Sequence, residues 1–244
     1  MLKEAIEKIE QMANPSVVNI EGIRYVVDKD GGYTQIRSDL DAVDTINLTS
    51  LDAMVKFITT EAVNLTDSIL YVTVPNHMTV RCFTSPDAEA RNCRNYFYEA
   101  TATDVPGWEP QMKLAYEEAQ IALRTRFQPT NDTEYAIKLL SDISTGCKVT
   151  FNDNGVGTTI VTKTGVALQA ATQIRPIINL RPYRTFQEVG QPASDFLIRV
   201  SDRYISFTEA DGGMWKLHAR QTIKEYLEKA MAEEIALGAV IVAL

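Results

Sequence analysis

Residues 148–162 read KVTFNDNGVGTTIVT. Two runs rich in β-branched residues, 148–152 and 156–162, flank Asp153-Asn154-Gly155. Asn-Gly is the strongest short hairpin signal, because both residues tolerate the positive φ that a tight turn needs. The same grammar recurs on either side. Downstream, 166–170, 173–180, 196–200 and 204–208 continue the strand pattern, and Asp211-Gly212-Gly213 marks another turn. Upstream, 68–74 and 79–84 are separated by Pro75-Asn76-His77. Val17–Val27 and Tyr33–Arg37 flank Asp28-Lys29-Asp30-Gly31-Gly32. Arg94–Thr103 alternates Tyr96 and Tyr98 with Phe97 and Glu99, which predicts a further strand.

Helical spacing appears in clumps between these hairpins. Residues 2–13 place Leu2, Ile6, Ile9 and Met12 on one side. A second helix follows Thr49-Ser50, with Thr49 and Asp52 at capping-box spacing and Leu51, Met54, Val55, Ile58 and Ala62 as its apolar stripe. A third runs over 109–127, with Met112, Ala115, Ala119, Ala122 and Leu123 on one face. A fourth covers 133–144, capped by Asn131 with Glu134 and stopped at Gly146. The last covers 218–233, with Ile223, Tyr226, Leu227, Ala230 and Met231 inward and a Glu225–Lys229 pair outside. Residues 239–244 read as a terminal strand. The pattern predicts an α+β fold of hairpin-rich, mostly antiparallel sheets with about five helices, not regular βαβ alternation. Residues 1–48 read as an N-terminal helix and hairpin, an arm, and 49–244 as the main domain.

The chain has 244 residues, 45% apolar and 23% charged, enough to build a full core. Its 24 Lys and Arg against 32 Asp and Glu give net −8, which argues against a surface coated in positive charge. Cys82, Cys93 and Cys147 are odd in number and without paired spacing, so reduced thiols are expected. There is no apolar signal-like N-terminus and no run near 18 apolar residues, so a location away from membranes is expected.

Catalytic grammar is absent. The sequence holds no G-x-S-x-G elbow, no H-E-x-x-H and no G-x-G-x-x-G opening a helix. Residues 157–164 end in Lys163-Thr164 but lack the glycine a phosphate loop needs before its lysine. His77, Cys82 and Cys93 fit no zinc spacing, and Asp28-Lys29-Asp30-Gly31 is no calcium loop, so neither metal nor cofactor is expected. Glu209 and Asp211 are the one carboxylate pair that a hydrolase could use. Turn chemistry before Gly212-Gly213 is the plainer account of them.

Residues 173–203 stand apart. They hold Arg175, Arg181, Arg184, Arg199 and Arg203, no lysine, and three acids, a local net of +2. Tyr183 and Phe186 lie among the arginines. Arginine in place of lysine implies fixed, bidentate geometry, and the rings offer stacking faces. Three readings stay open. One is an internal network, pairing Arg184 with Glu188 and Arg199 with Asp195 or Asp202. The others are a subunit interface, where arginine and aromatics are enriched, and a nucleotide-type anion site. A ligand that meets both Arg181 and Arg184 requires the chain to bend near Pro182-Tyr183, because the two alternate across a strand.

Leu180-Arg181-Pro182-Tyr183-Arg184-Thr185-Phe186, with Glu188-Val189, Gln191-Pro192, Ser194 and Arg199, resembles the signature of the YfdQ-like family of phage and prophage proteins. Glu209-Ala210-Asp211-Gly212-Gly213-Met214-Trp215-Lys216 is similar to its acidic Gly-Gly-x-Trp stretch, and Ser50-Leu51 and Asp153-Asn154-Gly155 are similar too. The resemblance spans about residues 49–235 and is specific in the C-terminal third. It implies a phage protein of the early region, in the cytoplasm of the infected bacterial host, and transfers no catalytic residue. The expected function is a non-enzymatic, self-assembling homo-oligomer. The alternative is a module that sequesters a nucleotide-type ligand or single-stranded nucleic acid, countering host defence, through Arg175, Arg181, Tyr183, Arg184, Phe186 and Arg199.

Overall fold

A computed structural model describes residues 16–20, 23–27, 31–35, 44–65, 68–86, 94–108, 113–145, 148–153, 158–164, 167–201 and 204–244. The expected helix over 2–13, the tip of the Asn154-Gly155 turn, Cys93, Cys147 and Arg203 lie outside them. Contacts divide the chain into residues 1–43 and 44–244.

The first unit holds a three-stranded antiparallel sheet of β1 (Ser16–Ile20), β2 (Ile23–Val27) and β3 (Tyr33–Gln35). Val17–Val27 is therefore two strands, not one. Ser16 faces Val27 and Ile20 faces Ile23 across the antiparallel pair.

The second unit runs β4 (Ile46–Leu48), α1 (Leu51–Phe57), β5 (Leu70–Asn76), β6 (Thr79–Thr84), β7 (Tyr96–Thr101), β8 (Lys113–Ala115), α2 (Tyr116–Thr125) and α3 (Asn131–Thr145). It continues through β9 (Lys148–Asp153), β10 (Thr158–Thr164), β11 (Ala167–Gln173), β12 (Ile177–Leu180), β13 (Ser194–Val200), β14 (Tyr204–Glu209), α4 (Trp215–Ala230), α5 (Ala232–Ala236) and β15 (Val240–Ala243). The fold is α+β, as the hairpin grammar predicts. β4 pairs with β7, so residues 44–48 belong with this unit and not with the N-terminal segment.

Two sheets, each with described helices packed on one face, carry the unit. The first has the order β15-β5-β6-β7-β4, antiparallel in its centre and parallel at both edges. α1 and α4 cover one of its faces, closing Leu51, Met54, Ile58, Leu70, Val72, Cys82, Tyr98, Ile223 and Leu227 into a core. The second has the order β12-β13-β14-β8, covered by α2 and α3 over Leu123, Phe127, Leu140, Ile178, Phe196 and Phe207. An antiparallel sheet of β11-β10-β9 completes the described strands, with β9 and β10 paired across residues 148–153 and 158–163.

The element ends differ from expectation where a local bond outcompetes a sequence pattern. Ser50, not Thr49, caps α1: its Oγ accepts the Ala53 N–H at 3.2 Å. Thr130, not Asn131, caps α3, accepting the Thr133 N–H at 3.1 Å. α2 starts at Tyr116 and not near 109, because Lys113–Ala115 is drawn into a strand against β14. Pro176, which has no N–H to donate, splits the expected strand over 173–180 between β11 and β12. α4 begins at Trp215, three residues before expectation. Asp211 accepts the Gly213 N–H at 3.0 Å and the Trp215 N–H at 3.2 Å, and Gly212 and Gly213 supply φ of 64° and 80°. Ala230 is exposed, not inward, and the helix's ion pair is Lys224–Glu228 at 2.8 Å.

Candidate functional site

The segment 181–194 leaves β12, touches both cores and returns into β13. Leu180 belongs to the core of the second sheet, whereas Phe186 and Val189 belong to the core of the first. Its beginning runs extended beside 126–128. The Gln128 N–H donates to the Arg181 carbonyl and the Tyr183 N–H to the Arg126 carbonyl, both at 2.9 Å. Beyond it the chain wraps around Gln191. The Gln191 Oε1 accepts the N–H groups of Arg184 and Thr185, and its Nε2 donates to the Phe186 carbonyl at 2.9 Å.

Arg184 is the centre of this knot and is only 8% exposed. Its guanidinium donates to Glu209 Oε1 at 2.5 Å, to the Pro192 carbonyl at 3.1 Å and to Ser194 Oγ. It also lies 3.7 Å from the centroid of the buried Trp215 ring. The indole N–H donates to the second Glu209 oxygen at 3.3 Å, and Ser194 Oγ donates to Asp211 at 2.8 Å. His77 meets the indole edge-on, with centroids 4.7 Å apart, and its carbonyl accepts the Thr185 hydroxyl. Burial pulls the Arg184 guanidinium down to about 10, against the raising pull of Glu209 and Asp211, so it stays charged at neutral pH. Burial pushes Asp211 upward, but bonds from Ser194, Gly213 and Trp215 and the Arg184 charge outweigh it, and its carboxyl lies below the usual range. Burial, then Lys216 and Arg184, lowers the His77 imidazole.

The other arginines of the segment go elsewhere. Arg175 is bonded to Asp132 at 2.9 Å and lies 3.9 Å from the Tyr135 ring centroid. Arg181 is exposed, while Arg184 is buried. Tyr183 is half-buried, Phe186 is core, and Arg199 is exposed on β13 opposite Ser206. Glu188, the expected partner of Arg184, instead accepts the Leu51 N–H at 2.8 Å at the start of α1. A cleft of about 340 Å³ opens there beside Ser50, Thr103, Asp104, Thr185 and Glu188. Glu209 and Asp211 are brought together, but both spend their oxygens on internal donors. Cys82 is buried with its thiol pushed up to about 12 by desolvation, so it is a packing group.

A second arginine–aromatic constellation lies on the face of the five-stranded sheet that no described helix covers, and the sequence reading did not single it out. In register across four strands stand Ile241, Tyr71, Phe83 and Tyr96. Tyr71 stacks on Phe83 with centroids 6.0 Å apart, and Phe83 meets Tyr96 at 5.2 Å. Arg94 lies 5.4 Å from the Tyr71 centroid and 5.2 Å from that of Phe83, held by a 2.9 Å bond to the Thr84 carbonyl. The next row holds Thr73, Arg81 and Glu99, with Arg81 and Glu99 paired at 2.7 Å.

Comparison with protein-family models, with curated proteins and with solved structures finds no match for the chain. No helix among the described residues is long and apolar enough to cross a membrane, and no described group of His, Cys, Asp and Glu gathers to hold a metal.

Proposed function

We propose that this chain is a non-catalytic, phage-encoded accessory protein that works as a homo-oligomer, joined through the β15 edge of its five-stranded sheet. One observation carries the reading. β15 contains no charged side chain and is hydrogen-bonded on one side, to β5, among the described strands. Ile241 on it is 42% exposed, and Leu237 just before it is 82% exposed. An apolar edge with unpaired N–H and C=O groups is a template for another strand, and natural sheets either cover such an edge or guard it with charge. Two copies meeting about a twofold axis pair β15 with β15 antiparallel and continue the sheet from one subunit into the next.

Two further features support this reading. The carboxylates that a hydrolase would need are consumed by Arg184, Ser194 and Trp215. The resemblance of residues 180–216 to the YfdQ-like family supports a phage origin and action in the host cytoplasm. Sequestration of a ligand through residues 175–203 has less support, because Arg175 and Arg184 are spent on internal partners. Light scattering after size exclusion tests the assembly. The wild type is expected to elute as a dimer or larger, and Ile241→Lys as a monomer of unchanged melting temperature. A wild-type monomer at micromolar concentration sinks the proposal.

A further inference from the structure

We propose that the face of the five-stranded sheet that no described helix covers binds single-stranded nucleic acid, with a base stacked on the exposed Tyr96 ring and phosphates met by Arg94, which lies over Phe83 and Tyr71, and by Arg81. The inference goes beyond the assembly reading and does not depend on it.

Tyr96 and Tyr98 have the same parity along β7, so a regular strand would turn both toward the helices. The register slips between Cys82 and Phe83: Cys82 faces Tyr98, but Phe83 faces Tyr96. The extra residue, Phe97, is buried together with Tyr98, and Tyr96 is turned to the open face, 48% exposed. A bulge of this kind re-aims a side chain at the expense of a regular ladder. Here it completes a row of three rings on adjacent strands.

Neighbouring ring centroids are 6.0 and 5.2 Å apart, wider than the roughly 3.4 Å rise between bases stacked in a duplex strand. A duplex keeps its base faces inside its own stack, so an exposed ring such as Tyr96 meets splayed, single-stranded bases. Aromatic stacking of this type tolerates any base, since every base has a π-face. The cations stand where a backbone would run. Arg94 is anchored over two of the rings by the Thr84 carbonyl. Arg81 sits one row along, and its exposed pair with Glu99 is of the kind that contributes little and exchanges readily for a phosphate. Thr73, opposite Arg81 in the next row, adds a hydroxyl, and Ile241 closes the ring row on the β15 side. In a chain of net −8 this is a locally cationic, ring-bearing surface, which fits a polyanion with exposed bases better than an acidic or neutral partner.

The test is fluorescence anisotropy of the full chain with a labelled 20-mer of dT, a 20-mer of rU and a 20-base-pair duplex of mixed sequence. The expected result is binding of one or both single strands, weaker binding of the duplex, and an affinity that falls as salt rises. The two single strands decide between DNA and RNA. Tyr96→Thr is expected to weaken single-strand binding about tenfold, the effect of losing one stacking ring. Arg94→Gln and Arg81→Gln are expected to weaken it and flatten its salt dependence. Phe83→Leu serves as a milder second ring variant, and melting curves verify that each protein is folded. No single-strand binding by the wild type at low salt overturns the proposal. So does equal or tighter binding of the duplex, or affinity unchanged in folded Tyr96→Thr and Arg94→Gln. Light scattering on the same samples keeps the two readings apart: Tyr96→Thr is expected to leave the oligomer mass unchanged. A change of mass in a protein that binds no single strand makes the face an interface and overturns the proposal.

Discussion

Arg184 and Arg94 do the same thing in opposite surroundings. Each places a guanidinium over an aromatic ring, Arg184 over Trp215 at 3.7 Å and Arg94 over Tyr71 and Phe83 at 5.4 and 5.2 Å. Around Arg184 nearly every donor and acceptor is spent on the chain itself, and the ring it covers is buried. Around Arg94 the rings lie on a sheet face that no described helix covers, and the guanidinium donates to the Thr84 carbonyl. An arginine–aromatic cluster is a structural joint where both partners are desolvated, and the proposal of single-strand binding rests on the cluster whose outermost ring, Tyr96, is exposed. Residue type is the same in both; the covering layer decides.

The sharpest way to break the comparison is to remove the buried arginine. Arg184→Leu strands Glu209 beside a desolvated indole and takes the donor from Ser194. Breaking a buried pair in this way costs about 3–5 kcal/mol. Adding Glu209→Leu should recover part of that loss, because no uncompensated charge is then left. Urea denaturation of the single and double variants checks both statements. A loss below about 1 kcal/mol for Arg184→Leu would mean that the knot is not a joint.

A smaller effect is expected at the helix start that the same segment caps. Glu188→Ala removes the acceptor of the Leu51 N–H, a change typically worth about 1 kcal/mol. Glu188→Gln keeps an acceptor oxygen and should retain most of that stability. Thermal unfolding of the two variants separates the hydrogen bond from the charge.

Acid provides a graded probe of the joint. The His77 imidazole is lowered in the folded chain, so the unfolded chain binds its proton first as pH falls. Stability is expected to be intact above about pH 6.5, the free imidazole value, and to decline as pH falls through the folded value. Asp211, also lowered, contributes stability above about pH 3.9 and loses it as pH falls further through its folded value. Melting temperatures from pH 7.5 to 4.5 should slope less in His77→Gln than in the wild type. Parallel curves would show that His77 does not respond to the joint.

The least effect on stability is expected on the open face. Tyr96→Thr alters a solvated cross-strand contact, of the order of 0.2–1 kcal/mol. The comparison is sharpened if this variant melts like the wild type and loses single-strand affinity, while Arg184→Leu loses stability.

Much was legible in the linear pattern. Alternation and turn residues mark the strands from β5 to β15, and period 3.6 marks the helices, because both signals are local. The exceptions have physical causes with distant partners. Lys113–Ala115 is a strand only because β14 is there to pair with it, and Tyr96 faces outward only because of a bulge opposite Cys82 and Phe83. The arginine excess of 173–203 was visible, but not its sorting. Which arginine is buried depends on Glu209, Ser194 and Trp215, up to 31 residues from Arg184 in sequence and placed by three different elements. Sequence alone determined the α+β class, the hairpins and the unusual composition of that segment, since these follow from neighbours a few residues apart. Tertiary structure alone decided which arginine–aromatic group is a joint and which is a surface, because burial is a property of the layer packed above a residue and not of the residues beside it.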